Sequence, residues 1–157
     1  MFVTNHVLIG ALIAQELPMQ LILACVLAFI SHFLIDIVPH GDTDLYRGYL
    51  NGNRRKMAIF TTVVDAAIAA GLLVFFILRA PSGYGLSTLF ILLFSAAPDI
   101  LVGFQELLPT RFLNCFHRVH FFFHGLITRQ VGDVSHVAGL GIEAVLVVLI
   151  TWRLVIA

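Results

Sequence analysis

The chain has 157 residues, of which 60% are hydrophobic and 11% are charged. Ordinary soluble domains carry about 25% charged residues, so there is too little polar surface here to enclose one domain of this length in water. Nine basic and nine acidic residues cancel to a formal net charge of zero, which excludes a basic nucleic-acid-binding domain. The composition predicts a single all-α domain, residues 1–157, that is integral to a membrane.

The first apolar stretch, Phe2 to Ala14, is shorter than the about 20 residues that a spanning helix needs. It carries Asn5 and His6, and the chain then reaches Pro18. No Lys or Arg precedes Arg47, so the positively charged start of a signal peptide is missing. We predict a short re-entrant or partly embedded helix here.

Four later apolar stretches are long enough to cross a bilayer. They are Leu17 to Ile35, Met57 to Leu78, Leu86 to Leu108 and Val134 to Ile156. The segments between them are predicted to be a polar loop, a tight turn and an aromatic, histidine-rich stretch: Val38 to Lys56, Arg79 to Gly85 and Pro109 to Asp133. The sequence therefore predicts a bundle of four spanning helices preceded by a short fifth helix.

The basic residues predict how the bundle is oriented. Seven of the nine lie in the two long segments that follow the first and third spans: Arg47, Arg54, Arg55, Lys56, Arg111, Arg118 and Arg129. Short loops rich in Lys and Arg stay cytoplasmic. We therefore expect a multi-pass protein of the inner cell membrane, with both long segments and all seven histidines on the cytoplasmic side.

Three acidic residues inside the spans are predicted to lie at nearly one depth. Asp65, Asp99 and Glu143 stand eight or nine positions from the cytoplasmic ends of their spans. A charged residue at the centre of a spanning helix costs about 2.5–3.5 kcal/mol, and the only base within a span, Arg153, is at the far end. Two solutions remain: the acids are protonated, or a cation lies among them.

A run of ligand-type residues ends the first span. His32 and Asp36 are spaced i, i+4 and so project from one face of a helix. His40 and Asp42 follow Pro39, which ends that helix. Imidazole and carboxylate together are good ligands for zinc or another divalent metal. This pattern at a membrane boundary indicates a metal centre. The alternative is that His32 only caps polar contacts and that His40 and Asp42 are solvated loop residues.

The acids of the spans each have two interpretations. Pro98 frees a backbone carbonyl, that of Phe94, beside Asp99, and such a break is tolerated where it lines a polar cavity; the alternative is a protonated Asp99 bonded to the break. Small residues around Asp65 let helices approach closely, so it either joins the site or makes a structural hydrogen bond between helices. Glu143 either joins the site or holds helices together as a proton-bearing residue.

Three histidines recur at i, i+3 and i+7 in the segment before the last span. His117, His120 and His124 share a face if this segment is helical, and its phenylalanines would anchor it in the membrane interface. With Arg118 they could form a lid that binds an anionic headgroup, or they could be incidental to an interfacial anchor. The residues predicted to surround the metal or to contact the substrate are His117, Arg118, His120, His124, His136 and Glu143.

Several short motifs resemble those of a known family. They are Asn5-His6 followed by Gly10, His32-x-x-x-Asp36-x-x-Pro39-His40-x-Asp42, Pro98-Asp99 and His117-Arg118. With these motifs the chain resembles the YdjM-like membrane-bound metal-dependent hydrolases, a family described as related to zinc-dependent phospholipase C. The resemblance implies a metal centre that hydrolyses a phosphoester or similar bond. By motif position, it assigns to the metal His6, His32, Asp36 and Asp99.

The full set of predicted metal ligands is His6, His32, Asp36, His40, Asp42, Asp65 and Asp99. The ion is expected to be zinc, with manganese or magnesium as alternatives. In a hydrolase the ion would activate water, and Asp36 or Asp65 would be the catalytic general base if not a ligand. We expect membrane lipids and an amphiphilic phosphoester substrate as partners, and no nucleic acid.

Two other functions stay open at this stage. Intramembrane acids are typical of ion pathways, so a small ion or proton transporter is one alternative. Against it, the polar residues gather at one end of the spans and the opposite halves are apolar. The other alternative is a membrane scaffold without catalysis, in which the metal is structural.

Overall fold

The computed structural model describes residues 1–108 and 110–156, with the side chains of all of these except Asp44 and Glu106. This part of the chain contains seven helices and no strand, so the predicted all-α class is confirmed. In chain order they are α1 Val3–Glu16, α2 Leu21–Asp36, α3 Asp42–Leu50, α4 Arg55–Arg79, α5 Gly85–Leu107, α6 Arg111–Val131 and α7 His136–Ile156. Pro109, the first residue of the predicted histidine-rich segment, lies outside the described residues.

Three helices are long and apolar enough to cross a membrane: Arg55–Arg79, Gly85–Gln105 and His136–Ile156. They correspond to the second, third and fourth predicted spans. The first predicted span is the apolar helix α2, which has 16 residues and is therefore shorter than the about 20 residues that a full crossing needs. Large apolar side chains such as Phe60, Leu78 and Trp152 point outward from these helices, as suits a lipid environment.

The core of the bundle lies around α5, which packs against α1, α2, α4 and α6. Its neighbouring residues Ile91 and Leu92 are fully buried and belong to two different apolar clusters, one with α2 and one with α1 and α4. Small residues let the helices approach: a methyl group on Gly10 of α1 would lie 2.6 Å from the Ser95 hydroxyl of α5. Close packing of this kind brings polar side chains on α1, α2 and α5 together.

The structure differs from the sequence-based expectation between α2 and α4. The expected polar loop contains α3, which starts after Gly41 in the left-handed conformation with φ 79°. The carboxylate of Asp133 accepts hydrogen bonds from the backbone N–H groups of Gly41 and Thr43, both at 3.1 Å. Because this cap comes from 90 positions further along the chain, the local sequence does not show it.

Helix α6 is the most amphipathic of the seven. The hydroxyl of Thr110 accepts a hydrogen bond from the backbone N–H of Leu113, a standard N-cap. The helix packs against α2 and α5, with His120 on its buried face and Phe112 and Phe122 exposed. The segment is therefore helical, as the shared histidine face requires, and His120 is turned toward the bundle.

Candidate metal centre

Four side chains from three helices converge at the end of the bundle where α2 stops. They are His32 and Asp36 of α2, Asp99 of α5 and His120 of α6. One possible ligand atom from each lies within 4.8 Å of the other three. We call these four residues the first ligand set.

The backbone of α5 orients the ring of His32. Its Nδ1 lies 2.9 Å from the carbonyl oxygen of Ser95, and because a carbonyl can only accept, Nδ1 carries a proton. In the neutral ring the Nε2 lone pair then faces Asp36 Oδ2 at 3.1 Å and Asp99 Oδ1 at 3.5 Å. Three electron-rich atoms directed at one another repel, so this position requires a proton or a metal cation.

The proline of α5 lies beside this contact. Helix α5 continues through Pro98, and the backbone carbonyl that contacts His32 is that of Ser95 rather than that of Phe94. A second ring nitrogen bound to a backbone carbonyl is the usual arrangement for a histidine that ligates a metal. Polar side chains therefore lie next to Pro98, as expected, and Ser95 supplies the backbone carbonyl that His32 contacts.

His120 completes the first ligand set from α6. Its Nε2 lies 3.7 Å from both Asp36 Oδ2 and Asp99 Oδ1, and the residue is 2% exposed. Burial lowers the pKa of His120 to about 3, although the carboxylates of Asp99 and Asp36 act in the opposite direction. The ring is therefore neutral, which is the form of histidine that binds metals.

His6 of α1 lies at the edge of this set. Its ring stacks on that of His32 with the centroids 3.7 Å apart. Its Nε2 lies 3.3 Å from Asp36 Oδ1 and 3.8 Å from Asp99 Oδ2, and neither ring nitrogen has a hydrogen-bond partner among the described residues. His6 is thus placed to reach the same ion or to orient Asp36.

A second ligand set shares Asp36 with the first and adds His40 and His124. His40 Nδ1 donates to the carbonyl of Val38 at 2.6 Å, so in the neutral ring Nε2 carries the lone pair that a ligand needs. His124 Nε2 lies 3.0 Å from Asp36 Oδ2. Asp42 lies beside this set, with Oδ2 3.1 Å from His40 Nε2.

The amino group of Met1 lies against the second set. It is 3.0 Å from Asp36 Oδ1, 2.6 Å from His40 Nε2 and 3.2 Å from Asp42 Oδ2. Burial works against its charge, but the carboxylates of Asp36 and Asp42 outweigh burial and raise the pKa of the amino group to about 11. Burial likewise works against the charge of Asp42, but the ammonium and His40 hold the pKa of that carboxyl well below its usual range. This side of Asp36 therefore accommodates a positive charge.

Several of the buried polar atoms that lack a hydrogen-bond partner among the described residues belong to the first ligand set. Within the described residues they include His32 Nε2, Asp36 Oδ2, Asp99 Oδ2 and His120 Nδ1. Buried polar groups are normally hydrogen-bonded, and buried charges are paired or bind metals. Two imidazoles and two carboxylates supply the four nitrogen and oxygen ligands of a typical zinc site, so the residues present fit a divalent metal ion.

Asp65, predicted as a ligand or base, lies apart from both sets. Its carboxylate accepts hydrogen bonds from the backbone N–H groups of Val3 and Thr4 at 2.7 and 3.1 Å and from the Thr4 hydroxyl at 2.5 Å. These hydrogen bonds join α1 to α4, which is the structural role that the sequence analysis names as the alternative to a role in the site. Glu143 makes a related contact, since its Oε1 accepts from the backbone N–H of Phe2 at 3.3 Å.

The other predicted surrounding residues divide between the site and its periphery. His120 and His124 enter the ligand sets themselves. The ring of His117 instead packs on Phe121, with centroids 4.4 Å apart. Arg118 is exposed and His136 is half-buried at the start of α7.

Sequence reasoning placed His120 and His124 around the metal rather than on it. A signal for the closer role was present, because the two residues are spaced i, i+4 like His32 and Asp36, which puts each pair on one helix face. Because His117 is three positions before His120, the sequence pattern predicts the same role for it as for His120 and His124. Only the packing of α6 against α2 and α5 separates His120 and His124 from His117.

Comparison of the chain with protein-family models, with curated proteins and with solved structures found no match. The interpretation of the site therefore depends on its geometry and on the sequence motifs.

Proposed function

We propose that this protein is a membrane-bound metal-dependent hydrolase whose ion is held by the first ligand set. The observation that carries the proposal is the orientation of His32. Its Nδ1–H donates a hydrogen bond to a backbone carbonyl, and its Nε2 faces Asp36 and Asp99. A divalent ion bound there would act as a Lewis acid on a phosphoester oxygen and would supply an activated water.

The ligand types favour zinc over the alternatives. Two neutral imidazoles and two carboxylates match the nitrogen and oxygen ligands that zinc takes in protein sites, whereas magnesium prefers sites rich in carboxylate and water. Manganese accepts a similar mixture and is the nearest alternative. The motif resemblance to YdjM-like hydrolases, and through them to zinc-dependent phospholipase C, agrees with this choice.

A hydrolase also needs a group outside the first ligand set that can accept a proton from water. His124 suits this role, because its Nε2 lies 3.0 Å from Asp36 Oδ2, and the carboxylate would stabilise the imidazolium after proton transfer. Burial, aided by the Met1 ammonium, lowers the pKa of His124, so the ring starts neutral. Asp65, the other candidate base, is already occupied by α1.

The position of the site suits an amphiphilic phosphoester. The ligands lie where α2 ends, and α6 covers them with an outer face that carries exposed Phe112 and Phe122, as expected of a helix in the membrane interface. A phosphate headgroup could then reach the ion while its chains stay in the bilayer. The clustered basic residues of the two long segments favour the cytoplasmic side of the inner membrane.

The test is elemental analysis of the detergent-purified protein together with an assay on a chromogenic phosphodiester and on phospholipid micelles. We expect about one zinc-class ion per chain in the wild type, as a four-ligand site holds one ion. Asp36→Asn should lose both metal and turnover. The matched control is Glu16→Gln, which changes an acid paired with Arg153 far along the chain and should keep both.

Three outcomes separate the candidate functions. Metal without hydrolysis of either substrate would favour a structural metal over catalysis. Cation uptake into proteoliposomes that Asp36→Asn abolishes would favour transport. A metal-free wild type that is as stable as one incubated with zinc would overturn the metal centre itself.

A further inference from the structure

Helix α1 begins inside the bundle rather than at its surface. The N-cap residue, Phe2, has no polar side chain, so the backbone N–H groups of the first turn need partners from elsewhere. Two acids from other helices supply them. Asp65 of α4 accepts from Val3 and Thr4, and Glu143 of α7 accepts from Phe2.

These contacts are shielded from solvent. Thr4, Asp65 and Glu143 are 8%, 6% and 3% exposed, and the Thr4 hydroxyl adds a further hydrogen bond to Asp65. The N-terminus of a helix carries a partial positive charge that stabilises nearby carboxylates. The start of α1 therefore compensates Asp65, an acid that would otherwise be costly in the apolar part of the bundle, and it supplies one donor to Glu143. The other oxygen of Glu143 has no hydrogen-bond partner among the described residues.

The capped turn is directly connected to the candidate metal centre. His6 follows Thr4 by two positions on α1, and its ring stacks on His32 at 3.7 Å. Its Nε2 also lies 3.3 Å from Asp36 Oδ1. Any movement of the first turn of α1 would therefore move an imidazole that contacts two members of the site.

We propose that Asp65 and Glu143 are positioning residues that hold the start of α1 and thereby set His6 against the metal centre. In this arrangement neither acid binds the ion. The part of the inference that concerns metal affinity rests on the proposed function. The part that concerns the placement of α1 stands on the hydrogen bonds alone.

A double-mutant cycle distinguishes a positioning residue from a ligand, because residues that act through one another give non-additive effects. Asp65→Asn, His6→Ala and the double variant are compared for zinc affinity by chelator competition and for the visible spectrum of bound cobalt. We expect Asp65→Asn to weaken zinc binding by about 10- to 100-fold, the usual effect of outer-shell changes. Added to His6→Ala, it should cause little further loss.

The matched control cycle combines His120→Ala with His6→Ala. His120 enters the first ligand set from α6, whereas His6 contacts Asp36 and His32 from α1, so the two losses should multiply. If Asp65→Asn also multiplies with His6→Ala, or if it leaves both affinity and spectrum unchanged, the positioning role is wrong. Glu143→Gln should shift the spectrum in the same direction but less, since the acid receives one bond at 3.3 Å.

A second measurement needs no metal and no strong destabilisation. Cys25 and Cys115 are free thiols, so a variant with both replaced and with His6→Cys carries one reporter thiol on α1. Thr4→Val, which removes one donor to Asp65, should increase labelling of that thiol by a membrane-permeant reagent several-fold. Unchanged labelling would overturn the positioning role. Increased labelling, together with a wild-type protein that binds no zinc, would leave the positioning role intact and contradict only the proposed function.

Discussion

Asp99 and Asp65 were predicted at nearly the same depth of neighbouring spans, yet they lie in chemically different surroundings. Asp99 faces the imidazoles of His32 and His120 at 3.5 and 3.7 Å, and its Oδ2 has no hydrogen-bond partner in the part of the chain that the structure describes. Asp65 faces the backbone N–H groups at the start of α1 at 2.7 and 3.1 Å. One acid is in a cluster that still lacks partners, and the other is in a completed cap.

The comparison shows two ways to keep an acid inside an apolar bundle. A helix N-terminus offers fixed N–H donors and a partial positive charge, which suffice without any bound ion. A cluster of neutral imidazoles offers mainly lone pairs, so it needs a proton or a metal. Changes in the cluster should therefore affect ion binding most, and changes at the caps should affect stability and geometry most.

The largest contrast is expected between two histidines of α6. His120→Ala removes a member of the first ligand set and should weaken zinc binding by more than the roughly 10- to 100-fold typical of outer-shell changes. His117→Ala removes a ring that packs on Phe121 and should keep the metal content of the wild type. Chelator competition and elemental analysis measure both, and equal losses from the two variants would contradict the assignment of the ligand set.

Much of the fold could be predicted from the sequence because hydropathy and length are local properties. Three of the four predicted spans are helices that can cross a membrane, and the short α1 follows from its polar residues and the proline after it. Helix α3 was missed because its cap, Asp133, is far away in the sequence. A cap supplied by a distant residue leaves no mark in the segment that it caps.

The site was predictable in part for the same reason. His32 and Asp36 could be paired from their spacing on one helix, and both are in the first ligand set. Whether Asp99 or Asp65 joined them depended on which helix faces met, and depth along a span does not determine rotation about its axis. Because α1 packs against α4, Asp65 lies at the N-terminus of α1. Because α2 packs against α5, Asp99 lies beside the histidine of α2.

Helix α7 contacts both regions: its Glu143 accepts a hydrogen bond at the start of α1, and its Gly139 lies beside the second ligand set. A change at Gly139 therefore disturbs the ligand set without altering the cap. Gly139 lies against the His40 carbonyl, and a methyl group there would collide with this backbone oxygen. We expect Gly139→Ala to lower the free energy of unfolding by about 1–3 kcal/mol, as overpacking does, and to disturb His40. Thermal unfolding in detergent, followed with and without zinc, measures both effects.

Gly141 provides the matched control on the same helix. A methyl group there would lie more than 4 Å from the neighbouring residues that the structure describes, and Ala is a better helix former than Gly by about 1 kcal/mol. Gly141→Ala should therefore be neutral or slightly stabilising. If both alanine variants behaved alike, close packing of α7 against the loop at His40 would not be what supports the second ligand set.

The smallest expected effect comes from Asp133, which caps α3 at the aqueous boundary much as Asp65 caps α1 inside the bundle. Partial burial works against its charge, but hydrogen bonds from Thr43, Gly41 and Val134 hold the pKa of Asp133 below its usual value. A depressed pKa gives stability that is present above the unfolded value of about 3.9 and is lost as the pH falls through the folded value.

Asp133→Asn should therefore lower the stability at pH 7 and flatten the loss of stability on acidification below about pH 4, the unfolded pKa of Asp. Because solvent screens this carboxylate, the difference from the wild type should be at most about 1 kcal/mol. Unfolding followed from pH 7 to acid measures this difference, with Asp65→Asn as the buried counterpart.

The buried cap on α1 should be the more costly to weaken, because unsatisfied N–H groups in the bundle have no water to replace the lost acceptor. Equal costs at the two sites would mean that burial does not strengthen the cap on α1, and the contrast between the surface and the interior would fail.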